Sequence, residues 1–590
     1  MEKVTRIGGM GKHDTDDEPF PPQPDDTSSP NEMEGLTLYE GKKCLLINRE
    51  IDNNGMGRYQ WYIWGLCGFG YMLDLLWAQA FGLVLGPLEQ ELGFPPSQSG
   101  NISVAFSSGL TAGAFIWGVL VDIVGRQWAF NLTCLISATF GLALGGCNSY
   151  TAFLIVTAFV GFGIGGNIPI DTTICLEFIP QNRRFLLALL SIFQPIGVVI
   201  CSAIAYGFIP NYSCNPNFST ADPAPSCFNV PAGTACCTKK SNMGWRYLMF
   251  TLGAITLGVF ILRFVVFRFK ESPKFLVYRG HDDKAVATLE AIAKVNKRQC
   301  GVSLADFEAL TGEHNSTTSG TELLGSGAKQ LHTSFKEKIS IELSRYKLLF
   351  NNAQTSRLTV LVWLTYICDF WGFTLAGTYL PRILAQKNGA ISLSLKFTYK
   401  TYLAIYTPGI IAVVLGTMVR TLLIILRHVM QGQLNIILRR SGCALKTSLF
   451  PARIQSVPQV GRKWTMVISS GLMGLSIFIF ATVNTEASNI GLNVMEYFFQ
   501  SMFNAVLYGW TPEVFPAPIR GTACGVASFW GRLFGIIAPL TAQSLLPASN
   551  NSAALTAGYT KVLCLAGGIT LGCVLTVSLL PNKALGRQSM

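Results

Sequence analysis

Long apolar runs alternating with short polar turns fill the chain from Gln60 to Leu580. Six runs come first, at 60–85, 102–121, 128–147, 151–170, 185–208 and 245–267. Six more follow, at 358–384, 402–426, 464–482, 492–509, 521–546 and 559–580. Each approaches or exceeds the ~20 residues a helix needs to cross a bilayer. Hydrocarbon offers no water to backbone amides, so a spanning run of this kind must be helical. The pattern predicts an all-α membrane protein with twelve transmembrane helices in two six-helix bundles, 57–267 and 358–580.

The polar stretches complete the layout. Residues 1–56 are rich in Asp, Pro, Gly and Ser and read as a disordered cytoplasmic tail. No apolar stretch of the cleavable-signal type lies near Met1, so the first run is expected to act as an uncleaved anchor. A polar segment, 268–357, joins the bundles. Within it 283–297 reads as helix and 300–334 as mobile chain. Residues 581–590 form a second short tail. Arg126, Arg183, Arg184, Arg268, Lys270, Arg462, Lys463 and Arg520 share one side if both tails lie there. The positive-inside rule makes that side cytoplasmic. The 209–244 loop then faces outside or a lumen. It holds Cys214, Cys227, Cys236 and Cys237 beside Asn-X-Ser sequons at Asn211 and Asn217. An oxidising face is expected there, with disulfides among these cysteines and glycosylation of the two asparagines. Four cysteines allow three pairings, and spacing does not choose among them.

Composition agrees. Half of the 590 residues are hydrophobic and only 13% are charged, too few for a soluble chain of this size. The net charge of +12 is accounted for by loop bases, so nucleic acid is not an expected partner. The five histidines are scattered, and no zinc spacing, phosphate-binding glycine loop or nucleophile elbow occurs. Neither an enzyme nor a metal or other cofactor is expected.

An internal repeat organises the runs. Tyr71-Met-Leu-Asp74 in the first run matches Tyr366-Ile-Cys-Asp369 in the seventh, at an offset of 295. Pro87 and Pro381 follow near the outer ends. Gly125-Arg126 matches Gly461-Arg462, and Glu177-Phe-Ile-Pro180 matches Glu513-Val-Phe-Pro516, both at an offset of 336. Matches in one order predict two parallel halves related about the membrane normal. The jump in offset places about 41 extra residues between Asp369 and Gly461. The suspect is 419–455, either a cytoplasmic loop or a translated intron.

Four motifs give the chain a family likeness. Gly118-Val-Leu-Val-Asp122-Ile-Val-Gly125-Arg126-Gln127, a tight turn between the second and third runs, resembles the loop signature of the major facilitator superfamily. Glu271-Ser-Pro-Lys-Phe-Leu276 resembles the run after the sixth span in its sugar-porter and synaptic-vesicle-protein-2-like members, as does Pro512 to Thr522 before the eleventh. Gly161 to Pro169 resembles the glycine-rich fourth span, with Thr157 where many members have arginine. The likeness covers 57–580 and is nearest to fungal transporters. It implies secondary active transport of a small organic solute, a sugar or organic acid, by alternating access, with a proton as coupling ion.

The residues supply candidates for those roles. A charge at mid-depth is costly and marks a pathway or a paired site, which singles out Asp74 and Asp369. Asn167 and Asp171 lie four apart, on one helix face. Trp77 and Trp371 lead the aromatic pocket candidates, with Phe370, Tyr508 and Trp510. A cytoplasmic gate is expected from Gly118, Asp122, Gly125, Arg126, Glu177 and Arg184, with Gly461, Arg462, Glu513 and Arg520 in the second half. Arg532, the one base well inside the eleventh run, is left either to an acid such as Glu496 or to backbone carbonyls. The expected partners are a small solute and membrane lipid, with the chain a monomer. The expected site is the plasma membrane, or a vacuolar or vesicular one. Efflux by proton antiport, and a non-transporting receptor on the same scaffold, stay open.

Overall fold

The computed structural model describes residues 32–418 and 457–581, apart from 184, 217–223, 232, 268, 318–346, 348, 392, 516–519 and 547–551. The first bundle holds α2 (Arg58–Leu92), α3 (Asn101–Val124), α4 (Arg126–Leu144), α5 (Tyr150–Gly165) and α6 (Asn167–Phe178), then α7 (Phe185–Leu189), α8 (Phe193–Tyr212) and α9 (Gly244–Ile261). The second holds α13 (Ala353–Ala390), α14 (Leu395–Tyr406, in a span running on to Met418), α15 (Val457–Thr482), α16 (Glu486–Val514), α17 (Arg520–Leu545) and α18 (Ser552–Ser578). Between them α10 (Pro273–Tyr278), α11 (Asp282–Val295) and α12 (Leu304–Thr317) join α1 (Glu32–Asn54).

Among the described residues, ten helical spans are long and apolar enough to cross a membrane. The remaining two expected runs fall on α3, 24 residues long, and α16, 29 residues long. α16 is less apolar because Asn489, Asn493, Glu496, Gln500 and Asn504 recur every three or four residues. That spacing puts them on one face. The first four are all less than a tenth exposed, so the polar face turns inward.

The halves repeat a contact as well as a sequence. The Tyr71 hydroxyl meets Thr172 Oγ1 at 2.7 Å, tying α2 to α6. The Tyr366 hydroxyl donates to Thr511 Oγ1 at 3.2 Å, tying α13 to α16. Glycines set how closely the first bundle packs. A Cβ on Gly161 would strike the Phe106 carbonyl, and one on Gly165 the Leu110 carbonyl, so α3 and α5 touch backbone to backbone. Gly125, at φ +104°, turns the chain from α3 into α4 in a region that favours glycine.

Three expectations change. Residues 1–56 are not wholly disordered, because 32–54 form α1. Lys43, Ile47, Glu50, Ile51 and Asn54 make its buried stripe. With only two isoleucines in it, the stripe is too polar to register as an apolar period. Ile47 and Ile51 pack with Val277, Leu289 and Phe307 of α10–α12, and Lys43 pairs with Asp282. The stretch 300–334 is likewise not all mobile chain, since 304–317 form α12. Finally, the 209–244 loop begins later, because α8 continues to Tyr212. Its cysteines pair as Cys214–Cys237 around Cys227–Cys236. Asn211 is exposed on the last turn of α8. Asn217 and the insert 419–455 lie outside the described residues.

Candidate functional site

The halves meet along a seam, and their polar contacts among the described residues sit at its outer end and at mid-depth. At the outer end Arg382 Nη2 donates to Glu89 Oε1 at 2.8 Å. Gln543 Nε2 donates to Asn101 Oδ1 at 2.8 Å, and Ser103 meets Thr378 at 2.9 Å. The Tyr399 hydroxyl donates to the Leu83 carbonyl at 2.7 Å. The structure is therefore closed toward the outside. Above this lock a vestibule of about 80 Å³ is lined by Glu89, Arg382, Tyr399 and the disulfide-held Cys214 and Pro216. Gln90 braces that loop, donating to the Asn215 carbonyl at 2.6 Å.

Deeper in the seam lies a small cavity of about 20 Å³, lined by Leu75, Ser191, Gln194, Phe373, Tyr497, Gln500 and Asn504. It draws on both halves. The periodicity of α16 explains its chemistry, since Gln500 and Asn504 are one turn apart on the polar face. Gln500 Nε2 donates to Asp369 Oδ1 at 3.0 Å. Gln500 Oε1 and Asn504 Oδ1 are buried without a donor.

At mid-depth Arg532 crosses the seam. Its Nη1 donates to the carbonyls of Leu110 at 3.1 Å and Gly165 at 3.4 Å, both in the first half. Of the two partners expected for it, carbonyls rather than Glu496 hold it. The Arg532 charge acts on Asp74, which is 9% exposed.

Asp171 has a different partner. Arg263 Nη2 lies 3.2 Å from its Oδ2, and both side chains are fully buried. The guanidinium also donates to the carbonyls of Leu66 at 2.9 Å and Phe130 at 3.1 Å. It stacks 3.7 Å from the Phe130 ring. Gly70 makes room, since a Cβ there would fall on the Asp171 carboxylate. Asp171 thus belongs to an ion pair inside the first bundle, not to the seam. Asn167, one turn away on the same face, is 0% exposed with neither amide atom partnered. The two tryptophans also turn into their own bundles. Trp77 is fully buried and donates to Thr256 Oγ1 at 3.1 Å. Trp371 donates to Thr541 Oγ1 at 3.4 Å and packs on Phe534.

The expected cytoplasmic gate is drawn together only in part. Arg126 Nη2 meets Glu177 Oε1 at 2.8 Å. Glu271 accepts from the backbone amides of Arg126 and Gln127, each at 3.1 Å. A carboxylate at the N-terminus of α4 is favoured by the helix dipole. This network lies within the first half and its connecting segment. The described polar contacts that cross the seam are the outer and mid-depth ones, while α7 packs against α16 nearer the cytoplasmic end. Gly118 has open space around it, and Arg462 is half-buried. Arg184, with the side chains of Asp122, Glu513 and Arg520 and the surroundings of Gly461, lies outside what is described.

Several groups here went unassigned in the sequence: Glu89, Arg382, Arg263, Glu271, Gln194, Gln500 and Asn504. Two left a signal. Glu89 and Arg382 carry opposite charges just after the matched prolines Pro87 and Pro381. Arg263 is a base four residues inside an apolar run.

The model of the Major Facilitator Superfamily matches residues 67–445. Over 560 residues the chain is 34% identical to a protein of Ceriporiopsis subvermispora (strain B) named MFS siderochrome iron transporter 1, with 94% of this chain and 92% of that one covered. It is 30% identical over 510 residues to an MFS-type transporter of Schizosaccharomyces pombe, covering 85% and 82%. Among solved structures it resembles the xylose transporter XylE from E. coli in a partially occluded inward-open conformation, with a TM-score of 0.56 and 14% identity, covering 89% of this chain and 98% of that one. The chain is a multi-pass membrane protein and belongs to the major facilitator superfamily.

Proposed function

We propose that this chain moves a small organic solute across its membrane by alternating access, coupled to a proton. The observation that carries the reading is the cavity on the seam, built from both halves and lying beneath a polar lock on the outer side. A site reached from one face at a time needs that combination. Asp74 is the proton carrier in this reading, because it is a buried mid-depth carboxylate within the electrostatic reach of the cross-seam Arg532. The disulfide-bearing loop supports a membrane with an oxidising outer face, the plasma membrane or one derived from the secretory route.

The test is solute flux into proteoliposomes of the full chain under an imposed pH gradient, with Asp74→Asn alongside. Gradient-driven uptake that Asp74→Asn abolishes supports the proposal. Flux driven in the opposite sense points to efflux by antiport. Solute binding without flux would instead support a receptor. An iron–siderochrome chelate belongs in the panel, since the relative from Ceriporiopsis is named for that cargo.

A further inference from the structure

The fourth span is broken where the second half touches it. α5 ends at Gly165 and α6 begins at Asn167. Gly166 between them keeps right-handed helical torsions, φ −80° and ψ −18°, so the backbone direction carries through the junction. What the junction lacks is a donor. In a continuous helix the amide four residues on would bond the Gly165 carbonyl. That residue is Pro169, which has no N–H. The next carbonyl is served in the ordinary way, with the Ile170 amide donating to Gly166 at 3.2 Å.

Arg532 brings a donor from the opposite half. Its Nη1 donates to the Gly165 carbonyl at 3.4 Å and to the Leu110 carbonyl at 3.1 Å. One nitrogen reaches both because the two lie together: a Cβ on Gly165 would strike the Leu110 oxygen. The C-terminal end of a helix such as α5 also favours a cation. Arg532 is 6% exposed, so little water competes for these bonds. A buried carbonyl left without its donor costs free energy, which gives the contact its weight.

Resting on the alternating-access reading above, we infer that Arg532 is a positioning residue for the transport cycle, a cross-seam latch that supplies the donor Pro169 withholds and so favours the state closed toward the outside. When the halves part, the guanidinium leaves and water takes its place at the two carbonyls. The latch is separate from the outer lock. Arg382 and Glu89 join α13 to α2, whereas Arg532 joins α17 to the place where α3 and α5 cross.

A double-mutant cycle on the full chain in sealed cells tests this. Val413 lines the seam cavity and is buried, so labelling of Val413→Cys by a membrane-impermeant maleimide, read above that of the chain without this cysteine, reports outward opening. Arg532→Gln should speed labelling about 10-fold, through loss of charge-assisted bonds. Pro169→Ala gives the Gly165 carbonyl a donor within its own helix. In that background Arg532→Gln should speed labelling only about 3-fold, the share left to Leu110. Arg532→Lys keeps the charge without the planar fork and should fall between the two; it carries the test if Arg532→Gln does not reach the membrane. An unchanged rate in Arg532→Gln, in cells where Arg382→Gln speeds labelling, overturns the latch alone. So does an equal effect of Arg532→Gln with and without Pro169→Ala, since Arg532 would then act elsewhere. If Arg382→Gln and Arg532→Gln both leave labelling unchanged, the alternating-access reading falls and the latch falls with it.

Discussion

Breaking the outer lock should change which face of the seam is open, and the size of the change follows from its geometry. Glu89 and Arg382 have side chains only 10% and 13% exposed. Removing one partner of a deeply buried pair costs about 3–5 kcal/mol, and of an exposed pair about 0–1 kcal/mol. This pair borders the vestibule, so a value near 2 kcal/mol is apt. Once the seam opens outward, water solvates both charges, so the loss falls on the closed state alone. At 1.4 kcal/mol per tenfold, Arg382→Gln should shift the equilibrium roughly 30-fold toward the outward-open form. Val413 lines the cavity beneath the lock and is 2% exposed, so Val413→Cys reports that opening. Its labelling by a membrane-impermeant maleimide added to sealed cells should speed up by about that factor in the Arg382→Gln background. Exchanging the charges, with Glu89→Arg and Arg382→Glu together, should restore slow labelling. An unchanged rate in Arg382→Gln would refute the lock.

Other consequences concern stability. Asp171→Ala would strand the buried Arg263 charge and should cost about 3–5 kcal/mol, seen as a large drop in melting temperature of the detergent-solubilised protein. Gly70→Ala should act similarly by forcing the same pair apart, and an unaltered melting temperature would show that the pair is not structural. Cys214→Ser with Cys237→Ser should loosen the vestibule loop and lower stability by about 2–4 kcal/mol, an effect that reductant reproduces in the unmodified protein. Ile47→Ala should weaken docking of α1 by about 2–5 kcal/mol and speed hydrogen exchange across 43–54 while leaving the bundles unchanged.

The fold was legible because lipid imposes a simple rule on sequence. A run of the right length and apolarity must be a helix, and twelve such runs in two matched sets leave few arrangements. Side-chain partners were harder, because they depend on how helices face one another. Asp74 and Asp171 look alike in the sequence, as acids inside apolar runs. The structure separates them: Asp171 meets Arg263 within one bundle, whereas Asp74, 9% exposed, is in no ion pair among the described residues and feels the Arg532 charge only at longer range. Trp77 resembles a pocket residue, yet it fills the core of the first bundle against Gly141. The polar face of α16 was open to view in its three- and four-residue spacing, but hydropathy averages it away. α1 escaped notice for the opposite reason: its buried stripe mixes Lys43, Glu50 and Asn54 with two isoleucines, and it acquires meaning only against α10–α12.

The claim that the two bundles rock about a shared cavity is tested most directly by distances between them. Spin labels can be placed on exposed positions of each half, at Gly146 and Glu486 outside and at Arg183 and Gln354 inside. The rocking motion predicts that acidifying the medium and adding solute change the two distance distributions in opposite directions, one widening as the other narrows. Two distances that stay fixed, or that move together, would contradict it.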